Sequence, residues 1–122
     1  MPQADLMITL PATITWSDYQ EELDAVQSGE LVMNFRLPSL PKQSGPGARC
    51  YTVHRGHVVG WMEITALEQR PGFTCQTTGQ IWAPGAYVTR SGAFHRLETP
   101  LPQKGFQGYR YAPDTWRELP CR

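Results

Sequence analysis

RCYTVHRGHVVGWMEITAL, residues 49–67, is two runs rich in β-branched and aromatic side chains, Arg49–Val53 and His57–Leu67. They meet at Arg55-Gly56. Such runs with a two-residue junction read as a β-hairpin, although Arg resists the positive φ that the tightest hairpin turns demand. On the N-terminal side, Leu31, Met33, Phe35 and Leu37 alternate with Val32, Asn34 and Arg36, the period of a half-buried strand. Leu6, Ile8 and Leu10 predict another strand within Leu6–Ile14, interrupted by Pro11. Between these two strands one helix is predicted. It starts at Ser17 with Gln20 at capping-box spacing, carries a stripe of Tyr19, Leu23 and Val26, and ends at Gly29. Towards the C-terminus, Phe73–Trp82, Ala86–Arg90 and Phe94–Leu97 read as short strands separated by Gly79, Pro84-Gly85 and Ser91-Gly92. Tyr109–Tyr111 is a candidate last strand, and the final ten residues, with Trp116, a turn of helix that packs a flank.

Many short strands with one or two helices predict a mainly β fold, a small closed or nearly closed barrel, because closure removes unpaired edges. A chain of 122 residues fits a single domain spanning residues 1–122. With 40% apolar and 18% charged residues it can build a modest core, and disorder is not expected. Eleven Gly and eleven Pro exclude a helical bundle, and three Cys are too few for a secreted disulfide scaffold. No apolar run approaches the roughly 20 residues of a membrane helix. A soluble, cytoplasmic protein without membrane contact is the expectation.

Net charge is zero, yet the charge is uneven. Residues 1–48 hold six acids and two bases, whereas residues 49–110 hold seven bases and three acids. Nine of the eleven bases are Arg, whose planar fork suits phosphates and base edges. Asn34 and Arg36 share one face of a strand about 7 Å apart, so both can reach one planar ligand, or both can face solvent. Trp82, followed by Ala-Pro-Gly, is a candidate exposed stacking platform, while Trp61 and Tyr87 read as core. Arg49, Arg90, Lys104 and Arg110 are candidate phosphate contacts. Lys104–Arg110 interleaves bases, rings and glycines, a composition able to follow a polynucleotide backbone or simply to tie down a loop.

Cys50, His54, His57, Cys75, His95 and Cys121 show no Cys-x-x-Cys spacing, so no metal site is expected. His54 and His57 would face each other across the hairpin. Thiolate pairs of Cys50 or Cys75 with a His are conceivable, but nothing in the sequence brings them together. No nucleophile elbow and no phosphate-binding glycine loop of the Walker type is present.

Three stretches resemble the PUA-like barrels, in particular the ASCH branch. They are Ser28–Arg36 with its turn and strand, Pro46–Tyr51 with its Gly-plus-small-residue lead into a strand, and Val59–Ile64 with its Gly-hydrophobic-x-x-Ile arm. The resemblance covers roughly residues 17–67 and, more loosely, the strands to Leu97. It implies a PUA-like barrel with a cleft for a nucleobase or a stretch of nucleic acid, RNA ahead of DNA. Some ASCH members hydrolyse a modified cytidine with a Lys, a Thr and a Glu. Here Glu30 or Leu31 stands in the lysine position and Asn34 on the following strand, so the activity is not carried over even if Glu63 fills an acidic position. The expectation is nucleic-acid or modified-base binding through Asn34, Arg36, Arg49, Trp82, Arg90, Lys104 and Arg110, with no catalysis and no cofactor. The alternatives are an ASCH-like hydrolase of a nucleotide derivative, using Glu63 or a Cys–His pair, and a protein-interaction or inhibitor module using the acidic helix Asp18–Asp24 or the aromatic tail.

Overall fold

The hairpin at Arg55-Gly56 forms in the computed structural model of the chain, which describes residues 3–29, 32–74, 79 and 81–122. Strand β3 (Arg49–His54) turns into β4 (His57–Arg70), and His54 faces His57 across the turn. Arg55 adopts φ 50° and Gly56 φ 81°, the two positive values of a type I′ turn. Left-handed backbone is unfavourable for Arg. Here its guanidinium holds the carbonyl of Ala12 through Nε at 3.3 Å and Nη2 at 3.1 Å, which fastens the turn to the chain beyond the first strand.

Ladder pairing of β4 with β7 (Gly85–Pro102) forms the spine of the sheet. Ala86–Arg90 and Phe94–Leu97, read from the sequence as separate strands, are parts of this one 18-residue element. Ser91-Gly92 lies within it, and the register against β4 shifts between Val58/Gly60, Trp61/Glu63 and Ile64/Ala66. Such irregularities bend a ladder without ending it. At Gly60 the approach is too close for any side chain, since a Cβ there would meet the His95 carbonyl oxygen and the Phe94 ring. The expected strand Phe73–Trp82 is instead a separate ribbon of β5 (Phe73–Thr74) and β6 (Ile81–Trp82), and the expected position of Cys75 lies outside the described residues.

Around the spine the order is β2-β7-β4-β3-β1-β8, with β1 spanning Leu6–Thr9, β2 Met33–Leu37 and β8 Tyr109–Tyr111. The protein is therefore mainly β, a six-stranded sheet curled into a half-barrel. Among the described residues no ladder joins its edges, β2 and β8. Among the described residues there is one α-helix, α1, which runs Trp16–Gln27. Its N-cap is Thr15, whose hydroxyl accepts from the Asp18 N–H at 3.1 Å, rather than the expected Ser17. Gln20 reaches forward to Asp24 instead of back to a cap. The helix ends as expected at Gly29, with φ 86°.

Both faces of the central strands are covered. Leu6, Ile8, Leu37, Cys50, Ile64 and Val88 form one cluster inside the curl. Tyr19, Leu23 and Val26 of α1 extend the interior over Leu10, Met33 and Met62. Met7, Tyr51, Val53, Val58 and Leu97 point the other way and are roofed by Trp116 on a 3-10 helix, Asp114–Glu118. Trp116 meets Tyr51 edge-on at 5.3 Å. Full burial of each large side chain contributes about 1.5–3 kcal/mol, so a strand buried on both sides anchors the sheet. No helix among the described residues is long and apolar enough to cross a membrane.

Asp5, fully buried, fixes the C-terminal segment to β1 and β3. Its carboxylate accepts from Arg117 Nε and Nη2, each at 2.7 Å, and from the Arg49 N–H at 2.9 Å. Removing the guanidinium leaves a buried charge with one backbone donor. Breaking such pairs costs about 3–5 kcal/mol when both groups are enclosed. Because water reaches Arg117, Arg117→Ala is expected to cost about 2 kcal/mol in urea unfolding, with the slope unchanged. A loss below about 0.5 kcal/mol would show that the pair does not hold the segment.

Candidate functional site

Between the unpaired edges β2 and β8 the gap is filled by residues 103–108. The segment is tied down at several points. Gln103 N–H donates to the Gly56 carbonyl at 2.9 Å, and Phe106 N–H to Thr9 Oγ1 at 3.2 Å. Gly108, at φ 75°, lies against Pro38, where an added Cβ would stand 3.1 Å from the proline Cγ. Phe35 from one edge and Tyr109 from the other both pack on the inner core. The seam is thus closed by side chains and a glycine contact instead of a hydrogen-bonded ladder.

Two open cavities flank this plug and share Gln107 and Gly108. One, of about 570 Å³, is lined by Arg36, Leu37 and Pro38 from the end of β2, Gln69 from β4, and Gly85 and Ala86 from β7. The other, of about 480 Å³, lies between Thr9–Ala12, Phe35, the Arg55-Gly56 turn and Gly105-Phe106. Together they form a groove along the seam, with Arg36 towards one end and Arg55 towards the other. Among the described residues no Asp or Glu lines either cavity. Arg36 rests on Gly85 and donates through Nη2 to the Pro84 carbonyl at 3.2 Å. Arg110 of β8 stacks its guanidinium over Phe106 at 4.7 Å, and Lys104 is exposed one residue before Gly105. Cations held on rings and carbonyls keep their remaining donors available for an anion.

The seven residues selected from the sequence divide between this groove and other places. Arg36, Lys104 and Arg110 belong to the groove or its border. Asn34 sits two residues from Arg36 on the outer face of β2, but its carboxamide oxygen already accepts from Arg70 Nη1 and Thr89 Oγ1, each at 2.9 Å. Trp82 is not an open platform. It is half-buried, stacked on Phe73 with centroids 5.6 Å apart and packed against Tyr87. Arg49 lies 3.9 Å above the Trp61 ring, and His95 stacks on the same ring at 4.0 Å. Register puts Arg49 on the β3 side and His95 on the β7 side, so the indole is sandwiched. Arg90 is 3% exposed, inside the curl between Met33 and Ile64, its neighbours in register. Its Nε and Nη1 are buried without a hydrogen-bond partner among the described residues, an unusual arrangement. Of the expected aromatic cores, Tyr87 is fully buried and Trp61 only half-buried.

Sequence reasoning missed Arg55, Gln69, Gln107 and Phe35 as groove residues. The available signal was Lys104–Arg110, whose mixture of bases, rings and glycines does mark the groove's floor. Gln69 carried no signal, because its position depends on how far β4 runs.

Cys50 is buried inside the sheet and Cys121 is exposed near the C-terminus, while Cys75 lies outside the described residues. Burial pushes the Cys50 thiol up to about 11, a shift that nearby Arg90 reduces without cancelling. Among the described residues no group of three His, Cys, Asp or Glu side chains is placed to hold a metal ion. Glu63 is exposed, opposite Arg49 in register. No protein-family model matches the chain, and no solved structure matches it.

In a Cys75→Ser/Cys121→Ser protein, Cys50 is expected to resist iodoacetamide at pH 8 in the native state and to react at once in denaturant. Its acid form is favoured by folding, so the stability it contributes is present below pH 9 and is lost as pH rises from 9 towards about 11. Native labelling at pH 8 as fast as a free thiol would contradict the placement.

Proposed function

We propose that the protein binds nucleic acid along the seam groove, without catalysis of its own. The observation that carries this reading is the lining of the two adjoining cavities, which contains two Arg, two Phe and several Gly residues and, among the described residues, no carboxylate. A polynucleotide needs that combination. Its phosphates need cations, its bases need flat apolar surfaces, and its backbone needs places where protein main chain can come close. Glycines at 85, 105 and 108 meet the third requirement, while Phe35 and Phe106 meet the second. Arg36, Arg55, Lys104 and Arg110 supply the cations. The resemblance to PUA-like barrels of the ASCH branch agrees with this reading and places RNA ahead of DNA. A modified nucleobase is the small-molecule version of the same ligand.

Four cations imply a log K that falls with log salt at a slope of about −3, taking roughly 0.7 of a counterion per contact on a single strand. Arg36→Gln and Arg55→Gln are each expected to weaken binding of a fluorescent RNA oligonucleotide several-fold. Each should also reduce the slope by about 0.7. Arg49→Gln, whose guanidinium is committed to Trp61 outside the groove, should leave affinity within twofold. No binding to RNA or DNA at low salt would overturn the proposal. Equal losses from all three substitutions would remove the groove as the site.

A further inference from the structure

The two cavities have different chemistry. The one between β2, β4 and β7 is the more polar of the two, with Gln69, Gln107 and Arg36 in its lining beside Leu37, Pro38 and Ala86. The one at the Arg55 turn is mostly apolar, with Phe35, Phe106, Leu10 and Pro11. Both volumes fall in the range of small-molecule sites, roughly 300–1,000 Å³. Gln69 and Gln107 are exposed, and neither side chain has a hydrogen bond to any described residue. Arg36 commits one nitrogen to Pro84 and retains the others.

We propose that the more polar cavity reads the edge of an unstacked purine in a single strand, through Gln69, Gln107 and Arg36, while the apolar cavity stacks a neighbouring base. The inference rests on the nucleic-acid reading above and adds strand form and base class. A carboxamide offers one donor and one acceptor side by side. Adenine answers with N7 and the 6-amino group, whereas guanine offers O6 and N7 to the fork of an arginine. Pyrimidines lack the N7 half of that two-point edge. A base can enter a concave pocket only when it is out of the stack, which single strands allow at little cost. Gln107 and Gly108 line both cavities, so they lie where the read base would adjoin the stacked one.

The test uses the full chain with fluorescent decamers of oligo-A, an A/G mixture, oligo-U and oligo-C. Each is supplied as RNA and as DNA, alone and, for one mixed sequence, as a blunt duplex. Purine single strands are expected to bind at least tenfold more tightly than pyrimidine strands, and the duplex more weakly than either of its purine-containing strands. Gln69→Ala/Gln107→Ala should collapse the purine preference to below threefold, with the loss falling mainly on the purine strands. Both side chains are exposed, so unfolding is not expected, and an unchanged circular-dichroism spectrum and urea midpoint are the internal check. Salt-dependent binding that is weakened by Arg36→Gln but equal for purines and pyrimidines would overturn the base reader and leave the groove standing. A purine preference that survives the double substitution would overturn the assignment to these amides. Absence of binding to any strand would overturn both readings. The RNA and DNA arms identify which backbone the groove accepts.

Discussion

A curled sheet that stops short of closing leaves two strand edges with unmet backbone groups, and everything at the groove follows from how that gap is filled. Here the gap lies between β2 and β8 and is occupied by residues 103–108 instead of a seventh strand. A ladder would have sealed the seam with regular backbone pairing and left a smooth surface. An irregular plug cannot do so. It touches the edges at points (Thr9, Gly56, Pro38) and leaves recesses between them. The glycine at 108 is what lets the plug come close enough to Pro38 for the core beneath, with Phe35 and Tyr109, to stay covered. The recesses are therefore a consequence of incomplete closure.

The same constraint explains where the arginines go. Strands β1 and β3 are buried on both faces, under α1 and the inner cluster on one side and the Trp116 roof on the other, so they offer little surface for charge. Arginines near them are absorbed into structure. Arg117 closes on buried Asp5, and Arg49 lies flat on Trp61. Arg90 is swallowed by the curl. At the edges and turns, where the sheet runs out, guanidinium groups stand beside open space with their flanks held by carbonyls or rings, as at Arg36, Arg55 and Arg110.

Local pattern made the backbone elements legible. Alternation at Met33–Leu37, the β-branched runs around Arg55-Gly56 and the stripe of α1 each reflect physics confined to a few neighbouring residues, and each element is present in the fold. The breakers were harder to read. Ser91-Gly92 separates two strands in a one-dimensional reading but is a bend in one, because β4 runs alongside and supplies pairing on both sides of the irregularity. Thr15 outcompetes Ser17 as the cap because the helix starts at Trp16, which packs towards Tyr19 and Phe94, a tertiary demand that capping statistics do not contain. The surroundings of candidate site residues were hard to read for the same reason. Whether Asn34 faces a ligand or an Arg70 guanidinium depends on a strand 36 positions away. Lys104–Arg110 was legible because there the local composition and the tertiary role coincide.

A zero net charge argues against a strong electrostatic partner only if charge is evenly spread, and in this fold it is not. Asp18, Glu21, Glu22 and Asp24 lie exposed on α1, Asp5 is neutralised internally, and none of these acids borders either cavity. At physiological salt the Debye length is about 8 Å, so a phosphate in the groove interacts mainly with the cations at its walls and little with carboxylates farther away. The whole-chain balance then governs long-range approach, which is not accelerated, while the lining governs affinity once contact is made. That separation favours a protein that discriminates by fit within its recesses over one that gathers polynucleotides indiscriminately through a broad basic face.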